Sequence, residues 1–111
     1  MSSLPLPTVE VRPTSQTQVD QLKVMLDAFQ IFVDRNAVRN DMWSEHDFAD
    51  AIFHLESKVA RAKAAVEVIR TESDPDPDFV RRLDFEVRDS LLDTINFAVF
   101  ALRHFEAGRI G

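Results

Sequence analysis

Cysteine and tyrosine are absent from this 111-residue sequence, and glycine occurs only twice. Without cysteine the chain has no disulfide framework, no thiolate nucleophile and no cysteine-based zinc site. Scarce glycine, together with nine phenylalanines and many Ala, Leu and Val residues, disfavours a turn-rich β-sandwich and favours helices. We therefore expect an all-α fold, and 111 residues leave room for a single domain.

The chain also lacks an excess of positive charge, with 13 basic against 19 acidic residues and a net charge of −6. This balance excludes a general binder of the nucleic-acid backbone, so no direct DNA binding is expected, although a free nucleotide could still be held by a few local charges. No apolar run approaches the length of a membrane span, and the first residues do not resemble a signal peptide. We expect a cytoplasmic protein with no membrane contact.

Apolar residues recur at helical spacing in three segments, near residues 15–36, 45–72 and 77–107. We predict three main helices in an antiparallel bundle, with residues 14–108 forming the helical domain. Residues 1–13 contain three prolines and should form an extended N-terminal arm. This arm is either a loose tail, as chain ends usually are, or a strap laid over a neighbouring subunit.

Each predicted helix has a recognisable start. Ser15 and Gln18 have the spacing of a capping box, and Ser44 is a good cap with Asp47 in the first turn of the second helix. Asp76 should cap the third helix, with Pro77 at its first position.

The third helix should stop at Gly108, with Arg103 and His104 placed favourably in its last turn. Between the first two helices, residues 35–43 break the helical period. We interpret them as an ordered link in which Asn40 takes a left-handed position and Trp43 acts as an anchor.

Each helix has an apolar stripe that we expect to form the core. In the first helix the stripe is Val19, Leu22, Met25, Leu26, Phe29, Phe32 and Val33, and in the second Phe48, Ala51, Ile52, Leu55, Val59, Ala62, Val66 and Ile69. In the third it is Val87, Leu91, Leu92, Ile95, Val99 and Leu102. Val24, Ala28 and Ile31 give the first helix a second apolar side. That second side predicts a partner helix, so we expect a homo-oligomer.

Polar residues that could carry chemistry follow the opposite sides of the second and third helices. The second helix has Asp47, Asp50, His54, Lys58 and Arg61 on one side, and the third has Glu86, Asp89, Asp93 and Asn96, flanked by Phe85, Phe97 and Phe100. Carboxylates three or four residues apart on facing helices can chelate Mg²⁺. Lys58 and Arg61 could then neutralise a phosphate. If the second helix packs antiparallel alongside the third, they could instead pair with Asp89 and Asp93 and tie the two helices together. The commoner origin of such a pattern is a solvated, salt-bridged face, and exposed aromatics more often mark a subunit interface than a pocket.

Other chemistries find no support. The sequence has no glycine-rich phosphate loop, no nucleophile elbow and no His-Glu metalloprotease pattern. A helix-turn-helix needs a basic recognition helix, which the chain lacks.

Residues 35 and 43, then 55–61 (LESKVAR), then 89–98 (DSLLDTINFA) occur in a familiar order. The segment from Phe32 to Phe105 resembles the small phage and bacterial proteins called nucleotide modification associated domain 1, which are akin to the all-α, MazG-like nucleoside triphosphate pyrophosphatases. The last segment is the most specific, because the family commonly has Asp, then Asp four residues later, then Asn with an aromatic. The resemblance implies a nucleotide-related role, either hydrolysis or binding during base modification.

The sequence departs from that pattern in two places. Arg39-Asn40 stands where the family usually has Tyr-Gly. The first acidic pair of the related pyrophosphatases, Glu-x-x-Glu, would here be Asp47 and Asp50, with shorter side chains, which puts metal binding and catalysis in doubt.

Two hypotheses from different classes follow. In the first, the chain is a Mg²⁺-dependent nucleotide pyrophosphohydrolase or a relative of one. Asp50, Glu86, Asp89 and Asp93 would hold the metal, Lys58 and Arg61 the phosphate, and Asn96 would orient the base or a ligand carboxylate. In the second, the chain is a non-catalytic helical oligomer that binds a nucleotide or a protein partner, and the acidic stripe only covers the helices.

Overall fold

An antiparallel pair of long helices forms the centre of the fold. A computed structural model describes residues 4–8, 10–39 and 47–110, and these contain α1 (Gln16–Arg39), α2 (Phe48–Thr71) and α3 (Pro77–Glu106), with no strand among them. The prediction of an all-helical fold with three helices is confirmed. Within the described ranges, no helix combines the length and the apolar character that crossing a membrane requires.

The ends of α2 and α3 follow local capping chemistry. The Asp47 side chain caps α2 and forms a reciprocal capping box with Asp50, so Asp47 precedes the helix instead of lying in its first turn as predicted. Asp76 caps α3 and Pro77 occupies its first turn, as the sequence predicted. The predicted cap Ser44 lies outside the described residues, as do Asn40 and Trp43 of the predicted link.

The C-terminal end of α3 closes the helix pair. Gly108 has a φ of 78°, and the hydrogen bonds from Gly108 N to Phe105 O and from Arg109 N to His104 O make a Schellman motif. The Arg109 carbonyl then accepts from Phe48 N at 3.1 Å, which satisfies one of the free amides at the start of α2. The predicted stop at Gly108 is therefore found, and it also joins the end of α3 to the beginning of α2.

Small residues set the distance between α2 and α3. The buried apolar residues of α2 and α3 in the described ranges are nearly all alanines, with one leucine: Ala51, Ala62, Ala65, Leu92 and Ala101. Alanine side chains allow two helix backbones to approach closely along their length. Fully buried residues also include the polar Ser90, Asp93 and His104, so the tightest part of the fold is small and partly polar.

The first helix is longer than predicted. The helix continues to Arg39, although the sequence predicted a link from residue 35 onward. Residues 35–39 contain neither proline nor glycine, so the break in the apolar period there does not end the helix. At its start, Ser15 Oγ accepts from Gln18 N, but the Gln18 side chain accepts from Thr14 instead of Ser15, so the predicted capping box is only half formed.

The predicted core stripes of α1 and α3 are corrected by the packing. On α1 the side that contacts α3 includes Ala28, which is fully buried, whereas Leu22, Met25, Leu26, Phe29 and Val33 are exposed. On α3, Leu92 of the predicted stripe is buried, but Leu91, Val99 and Leu102 are about half exposed, and the buried side also carries Ser90, Asp93, Ala101 and His104. The supposedly polar side of α3 is therefore the side that faces the other two helices.

Candidate functional site

Asp93 lies where all three helices meet, and only 1% of its side chain is exposed. Its Oδ1 is 2.6 Å from Arg35 Nη1 on α1, and its Oδ2 is 3.0 Å from Lys58 Nζ on α2. A buried carboxylate is costly unless it is paired, and here two cations from two different helices share the pairing. Asp93 thus links α1, α2 and α3 by charge.

Arg35 also reaches the acid one turn earlier on α3. Its Nη2 lies 3.5 Å from Asp89 Oδ1, while 43% of the Arg35 side chain and 33% of the Asp89 side chain remain exposed. Two carboxylates one turn apart repel each other unless a cation lies between them, and Arg35 supplies that cation. We call Arg35, Lys58, Asp89 and Asp93 the Asp93 cluster.

Lys58 and Arg61 lie on the side of α2 that packs antiparallel against α3, which is the condition under which they were predicted to pair with the acids of α3. Lys58 does so with Asp93. Arg61, one turn further along α2, pairs with Glu86 through Nε–Oε1 at 3.5 Å, and both side chains are about half exposed. The bases and acids named from the sequence therefore meet, but as ion pairs across the α2–α3 interface.

Asn96 ties α1 to α3 by a hydrogen bond. Its Nδ2 donates to the carbonyl oxygen of Ala28 at 2.8 Å. In this position the amide holds α1 at its crossing with α3, so a role in orienting a ligand would use its second N–H and its oxygen.

The four acids predicted to hold Mg²⁺ do not converge. Asp50 is engaged in the capping box at the start of α2, and it lies eight residues before Lys58, which is about 12 Å along the helix axis. Glu86 pairs with Arg61, and Asp93 with Arg35 and Lys58. In the part of the chain that the structure describes, no group of three or more His, Asp or Glu side chains is placed to hold a metal ion. These residues do not fit a preformed Mg²⁺ site.

A row of rings lies beside the cluster and spans the same three helices. His54 of α2 stacks on Phe97 of α3 with centroids 5.0 Å apart, and Phe97 meets Phe100 edge-on at 5.6 Å. Phe100 in turn meets Phe32 of α1 at 5.1 Å. The sequence placed Phe97 and Phe100 beside the acids, but Phe32 was assigned to another stripe. These rings supply apolar packing between helices where the alanines are too small to reach.

An open depression of about 780 Å³ adjoins the Arg61–Glu86 pair at the beginning of α3. It is lined by Asp76, Asp78, Arg81, Arg82, Phe85 and Glu86. Its lining combines three carboxylates, two guanidinium groups and the exposed ring of Phe85, and the Arg81 guanidinium pairs with Asp78.

Arg35 is the one cluster member outside the set of predicted site residues. In the sequence it belongs only to the predicted link and to the family resemblance. Two features of the sequence indicate this role. Asp89 and Asp93 need a base between them, and residues 35–39 are compatible with a helix, which places Arg35 on α1.

No family model, no curated protein and no solved structure matches this chain. The resemblance to nucleotide modification associated domain 1 therefore stays a prediction from the residues quoted above.

Proposed function

We propose that this chain is a cytoplasmic, homo-oligomeric helical domain that binds a nucleotide through its phosphate groups beside the Asp93 cluster. The enzyme form of the proposal is the Mg²⁺-dependent pyrophosphohydrolase that the resemblance implies for phage or bacterial nucleotide modification. The observation that carries the proposal is the exposed Arg61–Glu86 pair, whose Glu86 also lines the open depression at the start of α3.

The two predicted phosphate ligands differ in how freely they can act. Lys58 is only 22% exposed and faces the buried Asp93, so moving it onto a phosphate would leave a buried carboxylate with one partner fewer. Arg61 is 55% exposed, and an exposed pair such as Arg61–Glu86 contributes about 0–1 kcal/mol. Arg61 can therefore exchange Glu86 for a phosphate at little cost, and its planar guanidinium suits a bidentate contact.

The other phosphates and the base of a nucleotide could contact residues that line the same depression. Arg81, which pairs with Asp78, and Arg82 partly offset the negative charge of the acids in this lining, and the exposed ring of Phe85 offers a surface on which a base can stack. If Mg²⁺ is required, we expect the ion to arrive bound to the phosphates of the nucleotide.

Calorimetric titration of the purified chain tests this proposal, with ATP as the probe in the presence and absence of Mg²⁺ and with Mg²⁺ alone as a separate arm. Charge-assisted hydrogen bonds contribute about 1.5–3 kcal/mol, so Arg61→Ala should weaken ATP binding roughly 10- to 100-fold. Lys63→Ala is the matched control, since Lys63 is an exposed cation on α2 two residues further along. Absence of heat with ATP, or equal losses in both variants, would overturn the proposal.

The second candidate is a non-catalytic helical oligomer in which the Asp93 cluster only joins helices. It is favoured by the complete burial of Asp93 between two cations, an arrangement that a purely structural ion pair also produces. Under this candidate ATP is not hydrolysed, Mg²⁺ alone gives no heat, and variants of the cluster change stability alone.

A further inference from the structure

A continuous apolar stripe on α1 has no partner in the described chain. Leu22, Met25, Leu26, Phe29 and Val33 follow one another at intervals that keep them on one side of the helix, and each is between 43% and 57% exposed. We call these five residues the α1 stripe. It contains no charged residue, and a helical stripe of this kind is ordinarily buried against another element.

The contact between α1 and α3 cannot cover this stripe. Ala28, Phe32 and Arg35 make that contact, and at 100° per residue they lie about a third of a turn around the helix from the stripe centre. Closing α1 further onto α3 would break the Arg35–Asp93 pair and the Asn96–Ala28 hydrogen bond. The stripe is therefore held outward by the same polar contacts that fix the helix.

The buried part of one copy is also small for its length. The largest fully buried side chains of the described residues are those of His104, Asp93 and Ser90, while many large apolar side chains stay exposed. The Cα radius of gyration is 17.0 Å, against about 13 Å for a compact chain of 100 residues. One copy does not bury the apolar side chains that its sequence supplies.

The surface area matches what a dimer needs. The accessible surface is 8978 Å² for 12.7 kDa, whereas a compact monomer of this mass exposes about 6,200 Å². If the 15 residues before α1 are counted as unfolded chain they account for about 2,500 Å² of surface, and the other 96 residues, counted as a compact unit of about 11 kDa, for about 5,600 Å², so an excess of roughly 900 Å² remains. A stable interface of standard size buries about 800 Å² on each partner.

We propose that a second copy of this chain covers the α1 stripe in a two-fold interface, with α1 packed against α1. In such an interface the α1 stripe of one copy packs against the α1 stripe of the other. Because the stripe contains no charged residue, this contact buries no unpaired ion. The proposal deepens the oligomeric part of the proposed function by naming its surface, and it does not depend on nucleotide binding.

Light scattering after size-exclusion chromatography tests the interface at micromolar concentration. The wild-type chain should have twice its 12.7 kDa mass. Phe29→Ser should return it to the single mass with unchanged helix content by circular dichroism. Phe85→Ser, which removes an exposed phenylalanine of α3 outside the stripe, should keep the double mass.

Three outcomes separate the proposals. A wild-type chain of single mass overturns both the interface and the oligomeric part of the proposed function. A wild-type oligomer that Phe29→Ser leaves intact overturns the interface alone. Loss of ATP binding with the double mass retained would concern only the nucleotide proposal.

A second measurement needs no disruptive variant. Because the chain has no cysteine, single spin labels can be attached at Gln30→Cys, beside the stripe, and at Glu67→Cys, on the exposed surface of α2. The distance between labels on the two copies should be shorter at Gln30 than at Glu67. An equal or longer distance at Gln30 contradicts the interface.

Discussion

Asp93→Asn is the perturbation that most directly separates a structural role of the Asp93 cluster from a ligand-binding one. The substitution keeps the shape of the side chain and removes its charge, while Arg35 and Lys58 remain. Breaking a buried ion pair costs about 3–5 kcal/mol, largely because the other charge is left buried.

The geometry reduces that cost. Arg35 is 43% exposed and can be hydrated when its partner is lost, while Lys58 is 22% exposed and is less free to reach water. The asparagine oxygen can still accept one hydrogen bond. We therefore expect a loss of about 2–3 kcal/mol in the free energy of unfolding, between the values for exposed and buried pairs. For a domain of about 100 residues this lowers Tm by roughly 10–20 °C.

Differential scanning calorimetry measures the effect, and Asp89→Asn is the matched control. Asp89 is one-third exposed and lies 3.5 Å from Arg35, so its loss should cost only about 0–1 kcal/mol. Adding Lys58→Met to Asp93→Asn should recover part of the lost stability, because it removes the charge left without its carboxylate. A Tm for Asp93→Asn equal to that of Asp89→Asn would refute this account. If Mg²⁺ binding then disappeared while the fold persisted, Asp93 would have to be a metal ligand.

Two smaller perturbations test the packing and the helix end. Ala28→Leu should cost about 1–3 kcal/mol in urea unfolding, since Ala28 is fully buried at the crossing of α1 and α3; the exposed Ala37→Leu on the same helix should be nearly neutral, and equal effects would contradict the crossing. Gly108→Ala should cost about 1 kcal/mol, because φ is 78° while the space around a new Cβ is open; an unchanged unfolding midpoint would show that this turn is not maintained.

The existence and ends of the helices could be predicted because they depend on local chemistry. Asp76 with Pro77 and the glycine at position 108 act within a few residues of themselves, and the structure uses them as the sequence indicated. The start of α2 was misplaced by a few residues because both Ser44 and Asp47 are good caps, and the capping box with Asp50 favours Asp47. Ser44 and Asp47 each have an acidic residue three positions later, so this spacing alone does not decide which of them is the cap.

The buried faces could not be predicted in the same way. Periodicity shows that α1 has two apolar sides, but it does not show which of them meets α3. The side of α1 that carries Ala28 packs against α3, because the small side chain permits close approach and Asn96 can then donate to the Ala28 carbonyl. Likewise, the spacing of the acids on α3 did not decide between a site shared with the second helix and a solvated, salt-bridged face. The acidic side of α3 faces inward because Arg35 and Lys58 come from distant parts of the sequence and neutralise it together.

The cluster and the α1 stripe are connected through one rigid helix. The Arg35–Asp93 pair and the Asn96–Ala28 hydrogen bond fix how α1 lies on α3, and that orientation determines where Leu26 and Phe29 are presented. A second copy that binds this presented stripe stabilises the orientation by mass action, so the Tm of the wild-type chain should rise with concentration. The same linkage works in reverse, because a variant that loosens α1 must also weaken the dimer. Asp93→Asn, although it changes no residue of the stripe, should therefore shift the monomer–dimer equilibrium toward monomer, whereas Gly108→Ala, at the far end of α3, should not.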